Sequence, residues 1–235
     1  MEEEKTAGKT TEQKVDVSKF EKEIKAYQEF AYDKRKNCKL SYKNSVTGVL
    51  KLEEDDIYVK EYNLNEENAN KIQNAVDRGN AYHEALKLLD FSKIASREGL
   101  DAQFEKIRPL MKSEYIVLID KNILYNNITL INSLLDNQKV FKEHEFLMKC
   151  TLQEVGFDND DKSSVIVQGI VDFFAIGEKN ILIDYKYTSV SDEKVIKERY
   201  QKQIELYSMA IERAFNIKID ERYLLSLKNS KIIKL

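Results

Sequence analysis

Gly169-Ile170-Val171-Asp172-Phe173-Phe174-Ala175-Ile176, then Gly177-Glu178-Lys179-Asn180, then Ile181-Leu182-Ile183-Asp184-Tyr185-Lys186 decides the fold of this chain. Two β-branched and aromatic runs flank a polar turn, which predicts an antiparallel hairpin. Each run carries one aspartate where the local pattern expects an apolar residue. Residues two apart on a strand share a face, so Asp184 and Lys186 point the same way. Antiparallel pairing can set Asp172 beside Asp184. Two carboxylates brought to one spot repel unless a cation or a proton lies between them. Oxygen ligands of this kind suit Mg²⁺ or Mn²⁺. A lysine next to such an ion can orient or deprotonate a water and stabilise charge developing on a phosphate. An isolated Asp-x-Lys is more often an ion pair on a strand face. The Gly-x-x-Asp strand before it, the hairpin spacing and the helix after it favour a site.

Outward from the hairpin, Phe146, Met148, Cys150 and Leu152 alternate with other residues, the period of a strand with one buried face. With a turn over Asp158 to Lys162, this gives a three-stranded antiparallel meander. A long helix is predicted from about Asp192, its cap, to Phe215, and a last strand over Arg222 to Leu227. Strands, a helix and a strand predict a mixed sheet flanked by helices, an α/β (α+β) architecture. The first half reads as helical. Phe20, Ile24, Tyr27 and Ala31 recur at helical spacing, a second helix spans about Glu66 to Leu89, and more helical pattern crosses 101–135, broken near Pro109. An extended piece is expected around Val46-Thr47. Residues 1–17 read as a flexible polar tail. One domain then runs over 18–235, with a helical part at about 18–137 and the catalytic sheet and helix at about 138–235. Gly8-Lys9-Thr10 is no phosphate loop, because Glu3 stands where that motif needs glycine and no strand can lead into it.

Composition narrows the class further. Of 235 residues, 42% are hydrophobic, enough for a buried core, and the net charge is −3. That balance excludes holding nucleic acid by bulk positive charge, so polyanion contact needs a local basic patch or a bound cation. Cys38 and Cys150 are far apart, which argues against zinc, iron–sulfur and disulfide frameworks and fits a reducing cytoplasmic setting. No apolar run of membrane-spanning length and no signal peptide is present.

Gly169–Asp172, Asp184–Lys186, Gln203 and Tyr207 resemble the G-x-x-D, D-Y-K and Q-x-x-x-Y elements of the RecB-like branch of the PD-(D/E)XK superfamily. Gly79 to His83 resembles the G-x-x-x-H helix of the same branch. Asn44-Ser45-Val46-Thr47 and Tyr223-Leu224-Leu225-Ser226 are similar to segments of AddA-type helicase–nucleases. The resemblance covers about residues 40–235. It implies a restriction-endonuclease-like core with a helical N-terminal half. It also implies metal-dependent hydrolysis of DNA, single-stranded for preference and exonucleolytic rather than endonucleolytic. Asp172, Asp184 and Lys186 would be catalytic. His83, Asp172, Asp184 and the carbonyl oxygen of Tyr185 would hold Mg²⁺, with Mn²⁺ able to substitute. Gln203 and Tyr207 would border the site and contact DNA backbone or catalytic neighbours. The implied partners are DNA, the helicase part of the same protein and a second subunit of AddB type, in recombinational repair of double-strand breaks. The chain lacks helicase motifs and begins abruptly, as a fragment of a longer protein would.

Three further readings come from the residues themselves. Glu145, on the strand before Asp172, is a candidate extra carboxylate or an ordinary surface glutamate. Arg199, with Lys194, Lys197 and Lys202, makes the helix start basic, where a phosphate backbone can pass. Gly79, lacking a side chain, is expected to let the His83 helix approach the sheet closely. The alternative to an active enzyme is a nuclease-like binding module that is inactive without its helicase and partner subunit. Where the family commonly reads D-Y-K-T-D, this chain has Tyr187-Thr188-Ser189 after Lys186, which leaves open how that loop meets DNA.

Overall fold

A computed structural model describes residues 41–54, 66–156 and 164–235. The tail at 1–17, the helix expected over 20–35 and the turn at 158–162 lie outside these residues. In chain order the elements are β1 (Lys43–Ser45), α1 (Val46–Glu54), α2 (Glu66–Leu88), α3 (Arg97–Ile107), α4 (Ser113–Ile116), α5 (Lys121–Asn132), β2 (Lys139–Thr151), β3 (Ser164–Ile176), β4 (Ile181–Lys186), α6 (Glu193–Phe215), β5 (Glu221–Ser226) and β6 (Lys231–Lys234). Pro109 lies in a 3-10 turn over Arg108–Leu110, where the chain leaves α3.

The strands form one six-stranded mixed sheet. β2, β3 and β4 are the expected antiparallel meander. β5 then returns parallel to β4, and β6 closes antiparallel on β5. Along one edge β3 pairs with β2. On its other edge it pairs with two strands at different heights, parallel to β1 at Ile166–Gln168 and antiparallel to β4 at Phe173–Ala175. Between them, residues 169–172 have no strand partner on that edge.

Each face of the sheet buries a separate core. Tyr82, Ala85 and Leu86 of α2, with Leu89 just past its end, pack with Phe104 of α3 and Leu124, Ile128 and Ile131 of α5 against Phe173, Ile183, Tyr185 and Leu225. On the opposite face, Ile204, Tyr207 and Ile211 of α6 and Val46 and Val49 of α1 cover Val167, Val171, Phe174, Leu182 and Leu224. Helices on both faces of a mixed sheet are the predicted architecture. Asp192 caps α6 as expected, accepting a hydrogen bond from the Lys194 backbone N–H at 2.9 Å.

Two expectations are corrected. Val46-Thr47 is helical, not extended. Strand β1 stops at Ser45, whose hydroxyl accepts from the Gly48 N–H at 2.9 Å and starts α1, and burial of Val46 and Val49 outweighs the β preference of the branched side chains. The chain also does not end on the strand at Glu221–Ser226, because β6 follows it. Among the described residues, no helix is long and apolar enough to cross a membrane.

Candidate active site

The site forms where the β3–β4 ladder stops. The last paired residues are Phe173 and Ile183. One step beyond, the Asp172 carboxylate takes the place of a backbone acceptor: its Oδ2 receives the Tyr185 N–H at 2.6 Å. Strand β2 is irregular at the same level. Lys142 pairs with Phe173 and His144 with Val171, while Glu143 between them has a positive φ of 48°. Glu143 thereby faces α2, and His144 turns to the other face, among Phe141, Phe174 and Phe215.

Helix α2 supplies the third group. His83 Nδ1 lies 3.4 Å from both Glu143 Oε1 and Asp172 Oδ1, and its Nε2 lies 3.3 Å from the Tyr185 carbonyl oxygen. Donor atoms of His83, Glu143 and Asp172 all fall within 4.8 Å of one another. Lys142 fastens the end of α2 to β2 by donating to the carbonyl oxygens of Leu86 and Leu89.

Asp184 is buried on the opposite side of β4 from Tyr185. Its Oδ2 is 2.6 Å from Lys186 Nζ, and its Oδ1 is 3.5 Å from Gln203 Nε2. Gln203 also donates to the Tyr207 hydroxyl at 2.9 Å, so α6 braces the Asp184–Lys186 pair. The Tyr200 ring lies 5.3 Å from the Lys186 ammonium.

Electrostatics bind these groups into one unit. Burial disfavours a charged His83, but the carboxylates of Asp172 and Glu143 outweigh it and raise the imidazole to about 10. Burial pushes Asp184 up to about 6; Lys186 opposes this and the Asp172 charge adds to it. Asp172 is buried too, yet His83, Lys186 and the Tyr185 N–H hold it below the usual carboxylate range. Burial would lower Lys186, but Asp184 and Asp172 keep its ammonium protonated.

The structure therefore brings His83, Asp172, Asp184, Lys186, the Tyr185 carbonyl, Gln203 and Tyr207 together. It does not bring Glu145 to them. Glu145 pairs with Ile170 and is exposed, while Glu143 holds the position beside His83. Sequence reasoning misses Glu143, although it has the same strand parity as Glu145. Choosing between them requires the β2–β3 register, which places residue 143 opposite 172. Gly79 is also explained differently. A Cβ there would meet the Tyr187 Cβ at 3.5 Å, an ordinary contact, so close helix–sheet approach does not require glycine. Gly169 does need to be glycine, because a Cβ would stand 2.7 Å from the Phe146 ring.

A cleft of about 1040 Å³ opens from the site between α2 and the loop after β4. Arg78, His83, Lys186, Tyr187, Arg199, Tyr200 and Lys228 line it, so Arg199 faces the site's approach. One imidazole and two carboxylates within ligand distance, with a backbone carbonyl beside them, fit a divalent cation that prefers oxygen.

A PD-(D/E)XK nuclease superfamily profile matches residues 36–231, and the chain belongs to that superfamily. Among curated relatives, the A subunit of the ATP-dependent helicase/nuclease from Thermoanaerobacter sp. (strain X514) is 31% identical over 237 residues, covering 92% of this chain and 19% of the relative. The proteins of the same name from Clostridium beijerinckii and Clostridium botulinum (strain Alaska E43 / Type E3) are 32% and 30% identical, each covering 68% of this chain and 14% of the relative. The chain thus spans a fifth or less of these relatives' length.

Proposed function

We propose that this chain hydrolyses DNA phosphodiester bonds with Mg²⁺, replaceable by Mn²⁺, and prefers single-stranded ends. The observation that carries this reading is the convergence of His83, Glu143 and Asp172 from three elements beside a buried Asp184–Lys186 pair. His83, Glu143, Asp172 and the Tyr185 carbonyl would hold the cation, with Asp184 alongside. When bound, the cation supplies Lewis-acid polarisation of the phosphate and a more acidic water. Lys186 stays protonated, so it acts as a donor that orients the attacking water and meets charge growing on the phosphate. Asp184 anchors that ammonium, and Gln203 and Tyr207 fix Asp184. Ligation needs a neutral imidazole, so a cation must displace the His83 proton. By likeness to its helicase/nuclease relatives, we place the domain with a helicase part and a second subunit of AddB type in recombinational repair.

A labelled single strand incubated with the purified chain and Mg²⁺ or Mn²⁺ tests the reading. Wild type should cut it, and Asp184→Ala or Lys186→Ala should lose about a hundredfold to a thousandfold in rate. Strand binding by a wild-type chain that cuts with neither cation would refute an active isolated nuclease.

A further inference from the structure

The cleft beside the active site has a composition unlike the chain as a whole. Acids outnumber bases 41 to 38 in the sequence. Yet the described lining contains four cationic side chains, Arg78, Lys186, Arg199 and Lys228, and no aspartate or glutamate. Tyrosines are interleaved with them. Tyr187, the residue at which the chain leaves the commoner D-Y-K-T pattern, lines the cleft directly after the catalytic lysine.

We propose that this cleft is the track of one unpaired nucleic-acid strand, with the Tyr187 ring as a base-stacking platform and Arg78, Arg199 and Lys228 as contacts to backbone phosphates. The proposal rests on the nuclease reading of the adjoining site. Tyr187 is half-buried, and its ring stacks on Tyr82 with centroids 5.5 Å apart and planes 22° from parallel. Tyr82 is itself fully buried, and its hydroxyl bridges the Asp120 backbone, accepting from the N–H at 3.1 Å and reaching the carbonyl at 3.3 Å. The platform is therefore held from behind before any base arrives, which lowers the ordering cost of binding.

The cations flank this ring on separate elements. Arg78 is on α2, one residue before Gly79, and is exposed. One guanidinium nitrogen lies 3.4 Å from the Leu118 carbonyl, which leaves further donors for a phosphate. Lys228, after β5, is steadied by a 2.7 Å bond to the Ser189 hydroxyl. Arg199 stands on α6 beside Tyr200. A volume of about 1040 Å³ lies at the upper end for pockets that enclose small ligands. It has room for a few nucleotides of one strand. Bases in a duplex have both faces covered by their neighbours, so a stacking platform discriminates against it. Stacking reads no sequence, because every base presents a π face.

Fluorescence anisotropy of the full chain with an oligothymidylate of about a dozen nucleotides, alone and paired with oligoadenylate, tests this in EDTA across a salt series. Tyr187→Ala should weaken single-strand binding about tenfold to a hundredfold and leave the salt slope unchanged, whereas Tyr187→Phe should bind as wild type. Arg78→Ser with Lys228→Ser, both at exposed positions, should flatten the slope by roughly 1.4, about 0.7 for each phosphate no longer neutralised. Undiminished binding by Tyr187→Ala, an unchanged slope in the double variant, duplex preference in wild type, or no strand binding by wild type would each overturn the track. Cleavage of the same strand by wild type with Mn²⁺ reads the nuclease proposal separately. A chain that binds as stated without cutting defeats that proposal and leaves the track standing.

Discussion

Glu143 carries the sharpest residue-scale consequence. Its left-handed backbone (φ 48°) costs a non-glycine residue about 1–2 kcal/mol, and its carboxylate crowds that of Asp172. Both costs make sense if the side chain is a cation ligand. Glu143→Gln should therefore weaken Mn²⁺ binding at least tenfold in a calorimetric titration, the scale of loss found even for groups one step removed from a metal. Glu143→Gly should weaken it similarly. Equal Mn²⁺ affinity in Glu143→Gln and wild type would remove the residue from the site. At this scale much is legible in the sequence. Asp172, Asp184 and Lys186 announce themselves as charges inside apolar strands, and Gln203 as an amide on an apolar stripe. In Lys142-Glu143-His144-Glu145, however, charges alternate on both sides of a histidine. The glutamate that faces inward is set by register and by one local reversal that no residue type signals.

At the scale of elements, the packing of Gly169 joins three of them. A Cβ on β3 would meet the Phe146 ring of β2 at 2.7 Å and Val46 of α1 at 3.2 Å, and Phe146 cannot swing away freely because Tyr207 of α6 packs on it edge-on. Gly169→Ala should cost about 1–3 kcal/mol of stability by overpacking, seen as a lower urea midpoint with an unchanged slope. A midpoint within error of wild type would mean that the Phe146 ring relocates at no cost. The β2–β3–β4 meander and α6 are legible because their periodicity is long and their turns carry Gly, Asn or a capping Asp. The errors fall on short elements. Val46-Thr47 looks extended until Ser45 is seen as a cap. In β6, Lys231-Ile232-Ile233-Lys234 is too brief for a period and carries lysines at both ends, as edge strands often do.

For the whole molecule, the candidate ligands come from α2, β2 and β3, so a bound cation ties a helix layer to the sheet and is absent from the unfolded chain. At a hundred times its dissociation constant it adds about 2.7 kcal/mol, roughly 5–10 °C in melting temperature for a domain of this size. The effect must depend on pH. Raised from 6.5 to about 10, His83 gives the cation-free fold a contribution that is complete below the unfolded value of 6.5 and lost as pH rises through about 10. Asp184, raised from 3.8 to about 6, contributes likewise below 3.8 and loses it through about 6. Asp172, held low, contributes in the opposite sense: its share is complete above the unfolded value of 3.8 and is lost as pH falls below it. A cation competes with the His83 proton, so the Mg²⁺-induced rise in melting temperature should be larger near about pH 8.5 than near about pH 6. Equal increments at both would show that His83 does not exchange a proton for the metal.

The Tyr185 carbonyl, 3.3 Å from the His83 ring, belongs to the main chain, while its own side chain is committed to the core on the α2 face. An oxygen donor of this kind survives any replacement at position 185. An alanine scan would report Tyr185 as a packing residue and leave that oxygen uncounted. Only a change to the backbone itself, such as altering how β4 pairs with β5, would reach it.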